Sequence, residues 1–161
     1  MQTAYFAGGC FWCVEAIFQR VDGVKELTSG YCNGSTQNPT YEEVCSGQSG
    51  HAEVLKIEFD EQQISFTDLL KVFVETHDPT SLNQQGADRG TQYRSAVFYI
   101  DSVQRDLAIS LISSIPDAVT EISPLDVFYP AEGYHQNYYN NDPNQPYCQM
   151  VILPKINKYF K

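Results

Sequence analysis

Positive charge is scarce in this chain. Ten lysines and arginines stand against twenty aspartates and glutamates, a net charge of −10 over 161 residues. A nucleic-acid partner needs a basic patch, and an anionic membrane surface needs basic side chains, so both are excluded as expected partners. Long apolar runs are also missing. No stretch approaches the ~20 apolar residues of a membrane span, and Met1-Gln2-Thr3 carries no basic region of a secretory leader. The five cysteines are odd in number and cannot all pair. Without a secretory signal they read as reduced thiols of a cytoplasmic protein. Paired Cys-x-x-Cys knuckles, the mark of structural zinc sites, are lacking, since one such pair occurs and no more. There is no internal repeat, low-complexity tract or linker. With 42% hydrophobic and 19% charged residues, the expectation is one globular domain over residues 1–161.

What is present begins with Gly8-Gly9-Cys10-Phe11-Trp12-Cys13. A short apolar run, 3–7, precedes it. Apolar residues at 14, 17, 18 and 21 follow at helical spacing. The order strand, glycine turn, helix puts Cys10 near a helix N-terminus. Free N–H groups and the helix dipole there favour thiolate, the nucleophilic form. The chain's one tryptophan two residues on suggests a substrate with an apolar end. A buried, inert cysteine beside core aromatics is the competing reading.

Further along, a strand is expected over 24–31, ending in the turn Cys32-Asn33-Gly34. A short helix is expected over 41–45, with Thr40 as N-cap and Glu43 at the capping-box position. Residues 51–60 alternate as a half-buried strand with Glu53 near its start. Ser65 caps a helix to residue 76, and 81–92 is a long polar loop of the kind that often carries function. A strand over 93–100, a helix from 101 or 102 to about 114, and strands over 118–122 and 125–128 follow. A short helix over 131–139 and a tail punctuated by Pro143, Pro146 and Pro154 complete the chain. Strands interleaved with helices indicate α/β or α+β architecture.

Five separated segments resemble the A-type peptide methionine sulfoxide reductases. They are Gly8-Gly9-Cys10-Phe11-Trp12, the run from Asn38-Pro39-Thr40-Tyr41 to Gly47, Gly50-His51-Ala52-Glu53-Val54, His77-Asp78-Pro79-Thr80 on to Gly90-Thr91-Gln92-Tyr93-Arg94-Ser95, and Tyr129-Pro130-Ala131-Glu132-Gly133-Tyr134-His135-Gln136. The resemblance implies a compact α/β domain with a ferredoxin-like core, a mixed and mainly antiparallel sheet packed by helices. It implies reduction of the S epimer of methionine sulfoxide, free or in oxidised proteins, with no metal or bound cofactor and with recycling by thioredoxin; a monomer is the separate expectation for the chain. By the same resemblance Cys10 is the nucleophile, Phe11 and Trp12 hold the substrate methyl, Glu53 is the acid at the sulfoxide oxygen, Tyr41 and Tyr93 bond that oxygen, and Asp88 orients the substrate.

The chemistry agrees with these roles. A sulfoxide sulfur becomes electrophilic when its oxygen gains a proton, so a thiol needs a neutral carboxylic acid beside it. A carboxyl among aromatics has its pKa raised by desolvation. Attack leaves a sulfenic acid on Cys10, which a second thiol must resolve to a disulfide. By residue type alone, Glu53 also reads as a solvated strand charge, Tyr41 and Tyr93 as rim aromatics, and Asp88 as a turn former. His51 and His77 read as structural hydrogen-bonding groups in preference to metal ligands.

The chain departs from the family pattern at position 13, often glycine and here Cys13. Many members recycle through a glycine-rich tail, whereas this tail has one cysteine, Cys148, and no glycine. Cys13 is therefore the expected resolving thiol, Cys148 the next candidate and Cys32 a minor one, with Cys45 structural. Ala87 stands where the family often has asparagine. Two rivals remain at this level: a thioredoxin-like dithiol oxidoreductase using Cys10 and Cys13, and a zinc module using cysteines with His51.

Overall fold

The computed structural model describes residues 1–160. In chain order the elements are β1 (Gln2–Ala7), α1 (Phe11–Phe18), β2 (Val24–Cys32), α2 (Tyr41–Cys45), β3 (Ala52–Phe59), α3 (Phe66–Thr76), β4 (Gln84–Gln85), β5 (Asp88–Arg89), β6 (Ala96–Tyr99), α4 (Ser102–Ser113), β7 (Glu121–Pro124), β8 (Tyr129–Pro130), α5 (Tyr138–Asn141) and α6 (Leu153–Tyr159). Strands β6, β1, β3 and β2 lie side by side and antiparallel throughout. With α1 and α3 as their connections they make the split βαβ of a ferredoxin-like core. Strand β7 extends this sheet in parallel beside β6, reached through α4, as a parallel neighbour requires a long crossover. The two residues of β8 close the other edge against β2.

The period-2 pattern decides which face each side chain serves. Phe6, Tyr31, Leu55 and Val97 point into the large core under α1 and α3. Ala7, Cys32, Val54, Ala96 and Phe98 form a small cluster on the opposite face, with Leu125 and Phe128 against it. Helix starts follow the expected chemistry. The Thr40 hydroxyl accepts from Glu43 N at 3.2 Å while Glu43 Oε1 accepts from Thr40 N at 3.1 Å, and Ser65 with Asp68 repeats the box on α3. Each cap contributes about 1 kcal/mol.

The second half departs from expectation where side chains intervene. Helix 131–139 is broken into a 3₁₀ turn, Gly133–His135, and the four-residue α5. Gln136 is drawn into β2, where its amide bonds Ser29 N, Ser29 O and Ala131 O. Asn137 turns left-handed at φ 56°, and buried Glu15 accepts from Asn137 N and Tyr138 N. The strand expected at 125–128 does not form, because Asp126 and Asn33 exchange side-chain to backbone bonds and hook the chain back. The strand expected at 118–122 is shifted to β7, and Thr91–Tyr93 form a 3₁₀ turn ahead of β6. The proline-marked tail is helical: a π turn, Cys148–Ile152, runs into α6, whose first turn tolerates Pro154.

Candidate active site

Gly9 sits at φ +88°, and a Cβ there would lie 2.8 Å from Gln85 Cβ. Only glycine makes this turn out of β1 without strain. The turn delivers Cys10 as the N-cap of α1, with no side-chain cap of its own. The first helical N–H is thus free, and Glu53 takes it: Phe11 N donates to Glu53 Oε1 at 3.0 Å. Glu53 comes from β3, paired with Tyr31 across β2, and is 1% exposed. Burial raises its carboxyl to about 8 despite the Phe11 N–H, with Asp88 and Cys13 adding to the rise. At neutral pH it is a protonated acid beside a thiol.

Cys13 N donates to Cys10 O at 3.0 Å, which sets the two thiols on one turn, where each shifts the other's titration. Cys10 is 8% exposed. Its thiol is pushed well above the usual range by burial first, then by Cys13 and Glu53, against the pull of Trp12 N–H. The expected thiolate at the helix start is therefore not the resting state, because desolvation outweighs the dipole. Cys13 goes the other way, down to about 7, held mainly by Cys10 and also by Lys155 and Tyr147.

Tyr41 and Tyr93 both sense the Glu53 charge, and Tyr93 also senses Cys10. Burial keeps both hydroxyls protonated, so they serve as donors. Phe11 is turned inward against Tyr31 and His135, with ring centroids at 5.7 and 5.2 Å. The wall is formed by Trp12, half-buried, stacked on Tyr138 at 3.8 Å and 7° and meeting Tyr147 edge-on at 5.7 Å. Trp12 Nε1 donates to His135 Nδ1 at 3.1 Å. Asp88, on β5, is engaged by the Tyr147 hydroxyl, which donates to Oδ2 at 2.7 Å. A groove of about 690 Å³ opens on Cys10, Cys13, Asp88 and Tyr147, with Lys155 and Lys158 on its α6 side. Glu53, Tyr41 and Tyr93 do not line it.

The remaining candidates separate by position. Cys148 is fully buried in the same core as Cys13, and Cys32 lies across the sheet from both. Cys45 is exposed and lies near enough to the Tyr41 hydroxyl to push its titration up. His51 accepts from Gly34 N at Nδ1 and reaches Thr36 O at 2.7 Å through Nε2. His77 spans Phe73 O and Ser95 Oγ, and burial lowers it to about 4. Both are structural rings, tied down by these bonds. Among the described residues no group of three or more His, Cys, Asp or Glu is placed to hold a metal, and no helix is long and apolar enough to cross a membrane.

Sequence reasoning missed four contributors. Glu132 accepts from the Tyr31 hydroxyl and from Tyr41 N, both at 2.9 Å, and so fixes the start of α2 beside the site. His135 backs the Trp12 wall, and Tyr138 and Tyr147 complete it. Glu132 and His135 stood within a quoted motif, so a signal existed. Tyr138 and Tyr147 had none, since neither falls at a telling spacing.

A pair of thiols on one turn, a neutral carboxylic acid and two phenol donors define a thiol-dependent oxidoreductase site on a ferredoxin-like core. Comparison with known proteins narrows the class. The profile of the family described as peptide methionine sulfoxide reductase matches residues 2–161, and the chain belongs to that family. It is 65% identical over 161 residues to "Peptide methionine sulfoxide reductase MsrA" of Vesicomyosocius okutanii subsp. Calyptogena okutanii, with 99% of each chain covered. Reduced Mxr1 of Saccharomyces cerevisiae superposes with a TM-score of 0.84 at 32% identity, covering 91% of this chain and 88% of that one. A structure of Mxr1 in complex with Trx2 shares the fold at a TM-score of 0.55 and 20% identity, covering 85% and 84%. The enzyme reduces methionine sulfoxide through its thiols.

Proposed function

We propose that Cys10 is the nucleophile and Glu53 the acid in reduction of methionine S-sulfoxide, free or within oxidised proteins. The carrying observation is the buried Glu53 carboxyl, bonded to Phe11 N beside Cys10 and held protonated to about 8. The substrate methyl rests on the Trp12 wall, with Phe11 behind it. The sulfoxide oxygen faces the Tyr41 and Tyr93 hydroxyls and Glu53. Cys10 attacks sulfur. Glu53 gives its proton to the oxygen and takes the one Cys10 releases, so the S–O bond passes from substrate to enzyme. Methionine leaves, and Cys10 carries a sulfenic acid. Electrostatic aid from two phenols acts on charge developing at that oxygen. A nucleophile kept as a thiol until substrate arrives is protected from stray oxidants.

Cys13 then displaces the sulfenic oxygen as water and closes a disulfide with Cys10. The place of Cys13 on the same turn as Cys10, with Cys13 N donating to Cys10 O at 3.0 Å, supports it over buried Cys148 and over Cys32, which faces away. An external dithiol protein reopens the disulfide. Thioredoxin fits this step, in line with the Mxr1 complex with Trx2, and no resident metal or cofactor enters the cycle. Asp88, at the groove, orients the substrate backbone. A monomer acting in the cytoplasm accords with five free thiols and a strongly acidic composition.

The test is a single turnover without external reductant, comparing wild type with Cys13→Ser. Wild type makes one methionine and loses two thiols. The variant makes one methionine and accumulates a sulfenic acid. Loss of two thiols by the variant would move the resolving role to Cys148 or Cys32.

A further inference from the structure

Tyr147 is placed between two groups of the site without belonging to either of its assigned steps. Its hydroxyl lies 3.4 Å from Cys13 Sγ and 2.7 Å from Asp88 Oδ2. Its ring is wedged edge-on against Trp12, and the π turn that starts at Cys148 fixes its backbone. A phenol has one proton to give. That proton is committed to Asp88, so in the thiol state Cys13 S–H is the donor toward the Tyr147 oxygen. The result is a directed chain, Cys13 S–H to Tyr147 O–H to Asp88. Burial and the neighbouring thiols push the Tyr147 hydroxyl far up, so it does not lose a proton outright. It can pass one on only while receiving another.

The resolving step needs such a path. Cys13 must shed a proton as its sulfur attacks Cys10 Sγ, and the sulfenic oxygen must gain one to leave as water. Glu53, re-protonated in the first step, stands on the Cys10 side and supplies the leaving oxygen. No group assigned so far removes the Cys13 proton. We propose that Tyr147 is a further catalytic residue: its oxygen takes the Cys13 proton while its own proton moves to Asp88, as the S–S bond forms and the Cys10 S–O bond breaks. Asp88 is the positioning residue of this relay and the final acceptor. Solvent in the groove returns the proton afterwards. The proposal rests on Cys13 as the resolving thiol.

Other charges facing Cys13 shape its pH response. They are Cys10 on its own turn, Glu53 from β3, Asp88 from β5, Cys148 beside Tyr147, and Lys155 from α6. Below about 7 the Cys13 thiol keeps its proton and needs the relay; above it, the thiolate attacks unaided.

The experiment is a single turnover on free methionine sulfoxide without reductant, with wild type, Tyr147→Phe, Asp88→Asn and Cys13→Ser. Methionine is counted, and the Cys10 sulfenic acid is trapped with a cyclic dione and weighed by mass spectrometry. The readout is the rate of disulfide closure relative to methionine formation, from roughly pH 6 to roughly pH 9. For Tyr147→Phe this ratio falls about tenfold or more at the acid end, the lower reach of acid–base catalysis, and recovers to within about twofold at the alkaline end. Asp88→Asn shifts it the same way by less. Closure at the wild-type ratio by Tyr147→Phe at the acid end overturns the proposal. So does a defect of equal size at every pH, which a merely structural phenol would give. Closure by Cys13→Ser at the wild-type rate removes the resolving thiol on which the relay depends. Absence of methionine from wild type overturns the reductase reading itself, a result distinct from the other three.

Discussion

Cys10 and Cys13 stand on the same turn of α1, and their surroundings push them in opposite directions. Around Cys10 there is burial, a neutral acid and a thiol neighbour, and the proton is held. Around Cys13 there is a donor thiol, the Lys155 ammonium and a phenol, and the proton is loose at about 7. Both thiols are nearly inaccessible, so exposure does not separate them. What separates them is which side of the helix each one meets. Cys10 faces β3 and the carboxyl it delivers, and Cys13 faces the carboxy-terminal segment. One helical turn thus holds a thiol that keeps its proton and a thiol that releases it readily.

The largest effect expected of a change here is removal of the thiol that keeps its proton. Cys10→Ser abolishes methionine formation, a loss beyond about a thousandfold, whereas Cys13→Ser retains one turnover and fails to cycle. Equal behaviour of the two variants in single-turnover chromatography would erase the distinction. Next comes the acid: Glu53→Gln slows methionine formation by about a hundredfold or more. Its sign with pH is fixed by the raised carboxyl. Glu53 donates while protonated, so the wild-type step declines as pH rises through about 8, and the glutamine variant shows no such decline. A decline that survives in Glu53→Gln would point to another acid.

A smaller effect compares the thiols directly. At neutral pH in the substrate-free protein, alkylation followed by peptide mapping modifies Cys13 about tenfold faster than Cys10, since reaction follows thiolate fraction. Preferential labelling of Cys10 would reverse the electrostatic contrast. Smallest of all, Cys148→Ser and Cys32→Ser change thioredoxin-coupled turnover by no more than about twofold, because Cys148 is held in the packed core and Cys32 lies on the opposite face of the sheet. A tenfold loss of recycling in Cys148→Ser would hand that thiol the resolving role.

Much of this was legible in the residues because it is local. The glycine turn, the helix start at Cys10, the Thr40–Glu43 capping box and the Ser65 N-cap depend on neighbours within four positions, and they form as read. The sheet core follows from period-2 runs whose faces are unambiguous. Helix 131–139 failed because its competitors are distant: Glu15 reaches Asn137 across 122 positions and Gln136 reaches Ser29 across 107. Tyr147 and Tyr138 were invisible for the same reason, since the Tyr147 contact to Cys13 spans 134 positions. The resting state of Cys10 was misjudged on a different ground. A helix terminus can be read from sequence, but the depth at which the fold sinks it cannot, and here depth decides.

The carboxy-terminal segment bears on the tempo of the cycle. Its π turn packs against α1, and Cys148, Ile152 and Ile156 are buried in the same core. The proposed Cys10–Cys13 disulfide closes within one turn of one helix and asks no segment to swing between chemical steps. On that assignment, friction with the solvent enters only where a second molecule arrives or departs.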